Sequence, residues 1–361
     1  MVQNSRTHAH VVGSMRSPDY LADARRALAF GETTKAEFKR TEDQAVDEAI
    51  AAQQAAGLKL INDGELRRLV FIDPLTSAIE GLGPAQHVQH WRKPDGSVVE
   101  RTLPIAVVDK IRRVRSATAE EFTYVRARTK SEVKVTVPSP AVISAVYSKK
   151  YSSAAYPDFF DLVRDAAEVI RLEIDELVRL GATQIQIDAP ELSFHADAET
   201  SARYADMGIS TEQMLTEGMD MINDLANVPG VHFSLHICRG GVGDAWMAYG
   251  SYDKIAHRVF ERASNIETFL LEYTSPGVGS FEPLAKAPDD KEIVLGLLSA
   301  KDSELESGEQ LQRQIMDAAK YFPLAQLSLS SQCGFSNGAC SPADQQAKLE
   351  QVTRVADRVW G

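Results

Sequence analysis

The stretch Phe233-Ser234-Leu235-His236-Ile237-Cys238-Arg239-Gly240-Gly241 reads as a buried strand that ends in His-x-Cys and breaks at two glycines. Residues i and i+2 of a strand share a face, so His236 and Cys238 project together where the strand exits. An imidazole and a thiolate on one face are half of a tetrahedral zinc site. The rest of the chain must bring further ligands to the same place for that chemistry to exist.

The elements that would do so alternate strictly. Strand-like runs lie at Thr7–Gly13, Leu58–Asn62, Val133–Val137, Gln184–Asp188, Phe233–Cys238, Phe269–Glu272, Ile293–Leu298 and Gln326–Ser330. Helical sequence follows each, clearest over 34–56, 158–180, 211–225, 308–321 and 342–359, with Gly57 and Gly181 stopping the first two. Strand-then-helix alternation means parallel strands with helical crossovers. Eight such units predict an α/β fold of the (β/α)8 TIM-barrel type, which takes about 250 residues before insertions. No linker divides the chain, so residues 1–361 form one catalytic domain. Between Gln86 and Thr102 the composition turns polar around Pro94-Asp95-Gly96, which predicts a hairpin inserted in a loop near 85–105. A doubly wound open sheet would carry a glycine-rich phosphate loop after an early strand, and Gly13-Ser14-Met15-Arg16 is not one.

Active sites of such barrels lie at the C-terminal ends of the strands. Those positions hold His8, His10 and Ser14; Asp63 and Glu65; Asp188 and Glu191; His236 and Cys238; Glu272; Ser299 and Lys301; Gln332 and Cys333. His236, Cys238 and Cys333 have zinc-ligand chemistry, and Glu272 completes a tetrahedron. Zinc with two thiolates and a carboxylate carries about −1, and a substrate thiolate replacing Glu272 keeps that sum. Such a site holds sulfur deprotonated and electron-rich, ready to attack an alkyl carbon.

The motifs together resemble a known family, the catalytic barrel of cobalamin-independent methionine synthase, and more closely its short single-barrel bacterial relatives. His10–Pro18 (H-V-V-G-S-M-R-S-P) resembles the family's H-V-G-S-x-x-R-P opening. Ile61–Arg68 (I-N-D-G-E-L-R-R) resembles D-G-E-x-R-R, and Ile185–Leu192 (I-Q-I-D-A-P-E-L) resembles I-Q-I-D-E-P-A-L. H-I-C, L-E-Y-T and Q-C-G-F resemble its three zinc-bearing motifs. The resemblance implies zinc on His236, Cys238, Glu272 and Cys333, Asp188 and Glu65 on the amino group of homocysteine, and Ser14 near the substrate carboxylate.

Two departures bear on the reaction. The family has D-I-H-S after the seventh strand, where this chain has Ser299-Ala300-Lys301-Asp302, and Asp before the last zinc cysteine, where this chain has Gln332. Lys301, with an unperturbed pKa of about 10.4, suits holding an anion better than donating a proton. Arg67, Arg68 and Lys301 could hold a substrate carboxylate or sulfonate, as in related zinc enzymes that open epoxides with coenzyme M. Lys301 and the pocket-lining His10 are the candidate catalytic side chains, and Ser14, Glu65, Asp188 and Arg67 the candidate substrate binders. His8-x-His10 also resembles the metal-binding H-x-H of amidohydrolases, but that family needs histidines at strands five and six and an aspartate at strand eight.

Composition narrows the partners. A net charge of −12 over 361 residues argues against nucleic acid or an anionic membrane. No stretch approaches the roughly 18 apolar residues of a membrane span, and Met1–Arg6 lacks the apolar run of a signal peptide. Three cysteines suit free thiols in a reducing cytoplasm. Cys340, beyond the strand end, reads as a bystander. The expected protein is a cytoplasmic, zinc-dependent thiol alkyltransferase that moves a methyl group to homocysteine or a similar small thiol from an alkyl donor; a homo-oligomer is compatible with this reading. The alternatives are an epoxide:thiol transferase of the coenzyme M type and, less favoured, a metal-dependent amidohydrolase.

Overall fold

The computed structural model describes residues 7–336 and 338–361; the stretch Met1–Arg6, read above for an apolar run, lies outside them. In chain order the strands are β1 (Leu60–Ile61), β2 (Ile79–Arg92), β3 (Val98–Arg113), β4 (Glu132–Pro138), β5 (Gln184–Asp188), β6 (His232–Ile237), β7 (Gly241–Val242), β8 (Ala245–Trp246), β9 (Thr268–Glu272), β10 (Glu292–Leu298) and β11 (Leu327–Ser331). Seven of them form one parallel sheet in the order β1-β4-β5-β6-β9-β10-β11, each next to its successor in the strand–helix alternation. β9, β10 and β11 are buried along their whole length, as parallel strands covered on both faces must be.

The sequence predicts eight strands, and the eighth position is filled differently. Residues 8–15 lie between the two edges of the sheet. His10 N–H donates to Leu329 O (2.9 Å) and Leu329 N–H to His8 O (2.9 Å), while Met15 N–H donates to Gly64 O (2.8 Å). The segment makes a single isolated bridge, Ala9 with Leu329, because its backbone then leaves the ladder to meet the turn after β1 and the loop after β11. The result is an α/β fold with a seven-stranded parallel sheet of TIM-barrel kind.

The long helices begin where the sequence supplies caps. Thr34 and Glu37 form a capping box for Lys35–Ala55, Asp158 caps Phe159–Arg179, and Ser341 with Asp344 caps Pro342–Trp360. The predicted helix over 211–225 is present with a π-turn at Met214–Gly218. No helix of the described residues is long and apolar enough to cross a membrane.

The inserted hairpin is longer than the predicted 85–105. β2 and β3 pair antiparallel from Ile79↔Arg113 to Arg92↔Val98, and Arg92↔Trp246 joins them to the small β7–β8 ribbon. The hairpin is tied to loops that follow strands of the sheet. Trp91 Nε1 donates to Gly240 O (2.9 Å), Gln89 Nε2 to Ala145 O (3.0 Å) and Tyr249 Oη to Arg92 O (2.7 Å). Arg92 pairs with Asp197 and with Glu199. It therefore roofs the C-terminal ends of β4, β5 and β6.

Its base rests on Glu173, which is wholly buried. Oε1 accepts from Arg113 Nε (2.7 Å), and Oε2 from Ala117 N–H (3.0 Å), Thr118 N–H (3.1 Å) and Thr118 Oγ1 (2.9 Å). Removing one member of a buried charge network strands the others. Glu173→Ala is expected to lower stability by about 3 kcal/mol in urea unfolding; a loss below about 1 kcal/mol would show that the hairpin base does not depend on this carboxylate.

Candidate metal and thiol site

β6 is buried from Phe233 onward, so its period-two alternation turns every second side chain into the sheet's interior. His236 is the register partner of Asp188 on β5, and Cys238 follows two residues on. Cys333 arrives from the loop after β11. The ligand atoms of His236, Cys238 and Cys333 lie within 4.8 Å of one another, and among the described residues this is the only such group of three. All three cysteines are free thiols. Cys340 is elsewhere, buried with its thiol on the carbonyls of Ala300 and Asp302.

The donors are arranged for a cation. His236 Nδ1 lies 3.2 Å from Leu270 O, which fixes Nδ1 as the protonated nitrogen and leaves Nε2 as a lone pair. That Nε2 is buried with no hydrogen-bond partner among the described residues. The Cys333 thiol is held well below its usual range, first by the hydrogen bond from Cys238 and then, against burial, by His236. Cys238 is pushed well up, by that same bond and by burial. Burial pulls the His236 imidazole down, but contact with Cys333 and the charges of Cys333, Asp188 and Glu272 raise it overall.

Glu272 does not join the group. Its Oε1 accepts from Trp246 Nε1 (3.0 Å) and Gln332 Nε2 (2.9 Å), and its Oε2 from Arg239 N–H (2.8 Å). These bonds set the carboxylate next to both cysteines, since Arg239 follows Cys238 and Gln332 precedes Cys333, and burial followed by the charge of Cys333 raises its pKa.

Lys301 reaches the same region. Its ammonium donates to Gly243 O (2.8 Å) and sits 4.6 Å from the centre of the Trp246 ring. A Cβ on Gly241 would meet Lys301 Nζ at 2.1 Å, so the second glycine of the broken strand makes room for this cation. Burial lowers its pKa, against the pull of Glu272, Cys333 and Cys238.

Two carboxylates lie beside the cluster. Ser14 Oγ donates to Glu65 Oε2, Thr136 Oγ1 to Glu65 Oε1 (2.6 Å), and Arg68 Nη1 is 3.5 Å from Oε1. Glu65 has φ +54°, a left-handed conformation uncommon outside glycine and concentrated at functional turns. Asp188 Oδ1 accepts from Gln186 Nε2 (2.7 Å), and Gln186 Oε1 accepts from Lys134 Nζ (2.5 Å). Burial pushes Asp188 up to about 7, with His236 pulling the other way. The loop of Cys333 locks onto this side. A Cβ on Gly334 would meet Ser14 Cβ at 2.7 Å, and Phe335 N–H donates to Ser14 O (2.7 Å).

Other expected residues go elsewhere. Arg67 pairs with Glu42 (2.7 Å) and Asp43 (2.6 Å) and lies over Tyr124, so its fork is committed to the helix Lys35–Ala55 and not to the cluster. His10 Nε2 contacts Glu292 Oε1 (3.2 Å) at the first residue of β10, the opposite end from the site, which removes the basis for a catalytic role. His8 stacks on Trp360, so the H-x-H pair does not converge and the hydrolase reading loses its metal ligands. Asp63 Oδ1 accepts Glu65 N–H (2.9 Å) and shapes the turn. Glu191 accepts from Ser139. Sequence reasoning missed Lys134, Thr136 and Gln186, although strand alternation puts Lys134 with Thr136, and Gln186 with Asp188, on common faces.

The chain matches the family model described as cobalamin-independent synthase, catalytic domain, over residues 7–358. It is 28% identical over 360 residues to the uncharacterized protein YxjH of Bacillus subtilis, covering 97% of this chain and 93% of that one. It is 24% identical to a protein named methionine synthase in Saccharolobus solfataricus, covering 90% and 86%. Among solved structures it is similar to a putative vitamin-B12 independent methionine synthase from Listeria monocytogenes (TM-score 0.74, 24% identity, 99% of both chains). It is likewise similar to a B12-independent methionine synthase from Shewanella sp. W3-18-1 in complex with selenomethionine (TM-score 0.77, 19% identity, 98% and 97%). With the fold and the spread of matched residues both in agreement, the chain belongs to the cobalamin-independent synthase catalytic-domain family.

Proposed function

We propose that this protein is a zinc-dependent thiol alkyltransferase that transfers a methyl group to homocysteine. The observation that carries this reading is the group of His236 and Cys238, both buried, with the half-buried Cys333, set beside two acids, Glu65 and Asp188, at the strand ends. The donor set fits zinc: two soft sulfurs, and an imidazole whose Nε2 is buried and unpartnered among the described residues. Zinc held there supplies a Lewis acid that keeps a thiol deprotonated at neutral pH.

The chain's own residues do the rest. Asp188 and Glu65 accept hydrogen bonds from the substrate ammonium, and a cation between them offsets the burial that holds Asp188 up. Ser14 Oγ, on Glu65 without substrate, is placed to turn to the substrate's polar end. Lys301 brings positive charge to the edge of the cluster. The relatives named methionine synthase, and the Shewanella structure with selenomethionine, support a methionine-type product. A second reading, addition of a sulfonate-bearing thiol to an epoxide, is favoured by Lys301 itself, since a half-buried ammonium there suits an alkoxide or a sulfonate.

The purified protein is expected to carry close to one zinc per chain by elemental analysis. Cys238→Ser and Cys333→Ser should lose it and Cys340→Ser should keep it; an active, folded, metal-free wild type would overturn the reading. Asp188→Asn should weaken homocysteine by about 1.5–3 kcal/mol, the range for a hydrogen bond to a charged group, and leave a thiol without an amine nearly unaffected. Equal losses for both thiols would remove the amine clamp. Lys301→Ala should lower the rate while zinc content stays constant, and turnover with monoglutamyl methylfolate should be weak. Efficient turnover of that donor, indifferent to Lys301, would refute this role.

A further inference from the structure

The strand ends hold a second polar group, which the proposed reaction does not use. Arg239, one residue after Cys238, is fully buried. Its backbone N–H meets Glu272 Oε2 (2.8 Å), but its side-chain Nε, Nη1 and Nη2 have no hydrogen-bond partner among the described residues. A guanidinium carries five N–H donors, accepts nothing and keeps its charge at every physiological pH. Burying it with no acceptor is strongly unfavourable, and buried polar groups of native proteins are almost always bonded.

A hydroxyl beside it is in the same condition. Tyr252 Oη donates to Ile237 O (2.7 Å) and accepts Glu272 N–H (3.0 Å), which joins the exits of the adjacent strands β6 and β9. The Arg239 guanidinium lies over the Tyr252 ring, 4.2 Å from its centre, and the Tyr273 ring lies 5.5 Å from that ring. Burial pushes the Tyr273 hydroxyl well up, while the charge of Arg239, near enough to act on it, pulls the other way. Tyr273 is 7% exposed, and its Oη has no hydrogen-bond partner among the described residues.

Two separate strand exits thus bring unpartnered donors to one buried place. A water molecule would answer some of the donors but not the charge. An oxyanion answers both, because its oxygens match the planar fork and its bonds to a guanidinium are of the strong, charge-assisted kind. We propose that Arg239 and Tyr273 form an oxyanion-binding site at the joined exits of β6 and β9. Its ligand is a small carboxylate or phosphate group, either free in solution or carried by a molecule bound at the strand ends. Successive residues of an extended chain face opposite ways, so Arg239 serves this site while Cys238 serves the metal group. The proposal does not depend on the zinc reading.

The test titrates the full chain with inorganic phosphate and, separately, with acetate. Ionic strength is held constant with sodium chloride, and the melting temperature is followed, since a ligand of the native state raises it saturably. At least one of the two anions should bind in this way. Arg239→Lys keeps a positive charge but loses the fork, and should weaken that binding about tenfold or more. Tyr273→Phe removes only the hydroxyl and should fold as the wild type does, while weakening the anion about threefold or more. Lys301→Ala should leave the affinity within about twofold, because Lys301 belongs to the metal side. Repeating the titration with homocysteine present separates the two sources: an unchanged affinity assigns a free anion, and competitive loss assigns a carboxylate carried by the thiol substrate. The absence of saturable binding by either anion would overturn the proposal and leave water as the acceptor. Binding that Arg239→Lys and Tyr273→Phe both leave unchanged would also overturn it, as an adventitious ion only. So would binding that Lys301→Ala abolishes. None of these readouts requires metal or turnover, so a metal-free wild type would remove the zinc reading and leave this one standing.

Discussion

Negative charge that is out of water must be met by a donor or a cation, and that requirement organises the strand ends of this protein. Glu65, Asp188, Glu272 and the Cys238–Cys333 pair are all drawn into one region, and the carboxyls and Cys238 are each less than a tenth exposed. An isolated ion there would cost several kcal/mol. Each is answered from a different part of the chain. Arg68 and Thr136 face Glu65, Lys134 acts through Gln186 on Asp188, and Trp246, Gln332 and the Arg239 N–H face Glu272. The two sulfurs face each other and the His236 imidazole. The Arg239 side chain is fully buried over Tyr252, 4.2 Å from the ring centre; burial and the charge of Cys333 push Glu272 up, with the Arg239 charge pulling the other way.

That electrostatic need explains the architecture better than the core does. A parallel sheet needs only apolar strands and covering helices, which the sequence provides. The additional structure exists to seat charges. The chain leaves the ladder after the Ala9 bridge to bring Ser14 to Glu65 and to receive Phe335 from the Cys333 loop. Gly241 admits the Lys301 ammonium. The hairpin dries the region from above, and in a drier site each of these interactions gains strength.

Strand order and the convergence of His236, Cys238 and Cys333 were legible because both follow from period: two for strands, and the rule that barrel chemistry sits at strand ends. What was not legible depends on partners distant in sequence. Nothing local distinguishes Arg67 from Arg68, yet the turn sends Arg68 to Glu65 and Glu121 and Arg67 to Glu42 and Asp43. The role of Glu272 depends on donors 26 and 60 residues away. His10 sits on a strand-like run, but its backbone is level with the middle of β11 and its ring turns down to Glu292, a depth that sequence does not encode. The hairpin was recognisable by its Pro-Asp-Gly turn, while its full length, from Ile79 to Arg113, depends on pairing that only the folded register reveals.

The cation at Lys301 bears on which donor this family member uses. A methyl group leaving a tertiary amine departs well only if the nitrogen gains a proton. Lys301 is one ionisable group that the strand-seven loop offers; burial lowers its pKa, against the opposing charges of Glu272, Cys333 and Cys238. It is also hydrogen-bonded to Gly243 O and seated against the Trp246 ring, which fixes it as a charge more than as a mobile acid. On the zinc reading proposed above, a fixed positive charge would stabilise a leaving group that departs as an anion and would steady the negative charge that a substrate thiolate brings to the cluster. Under that proposal both effects would favour a donor whose departing group needs no proton, such as a sulfonium, a methylcorrinoid or a strained epoxide, over a tertiary amine.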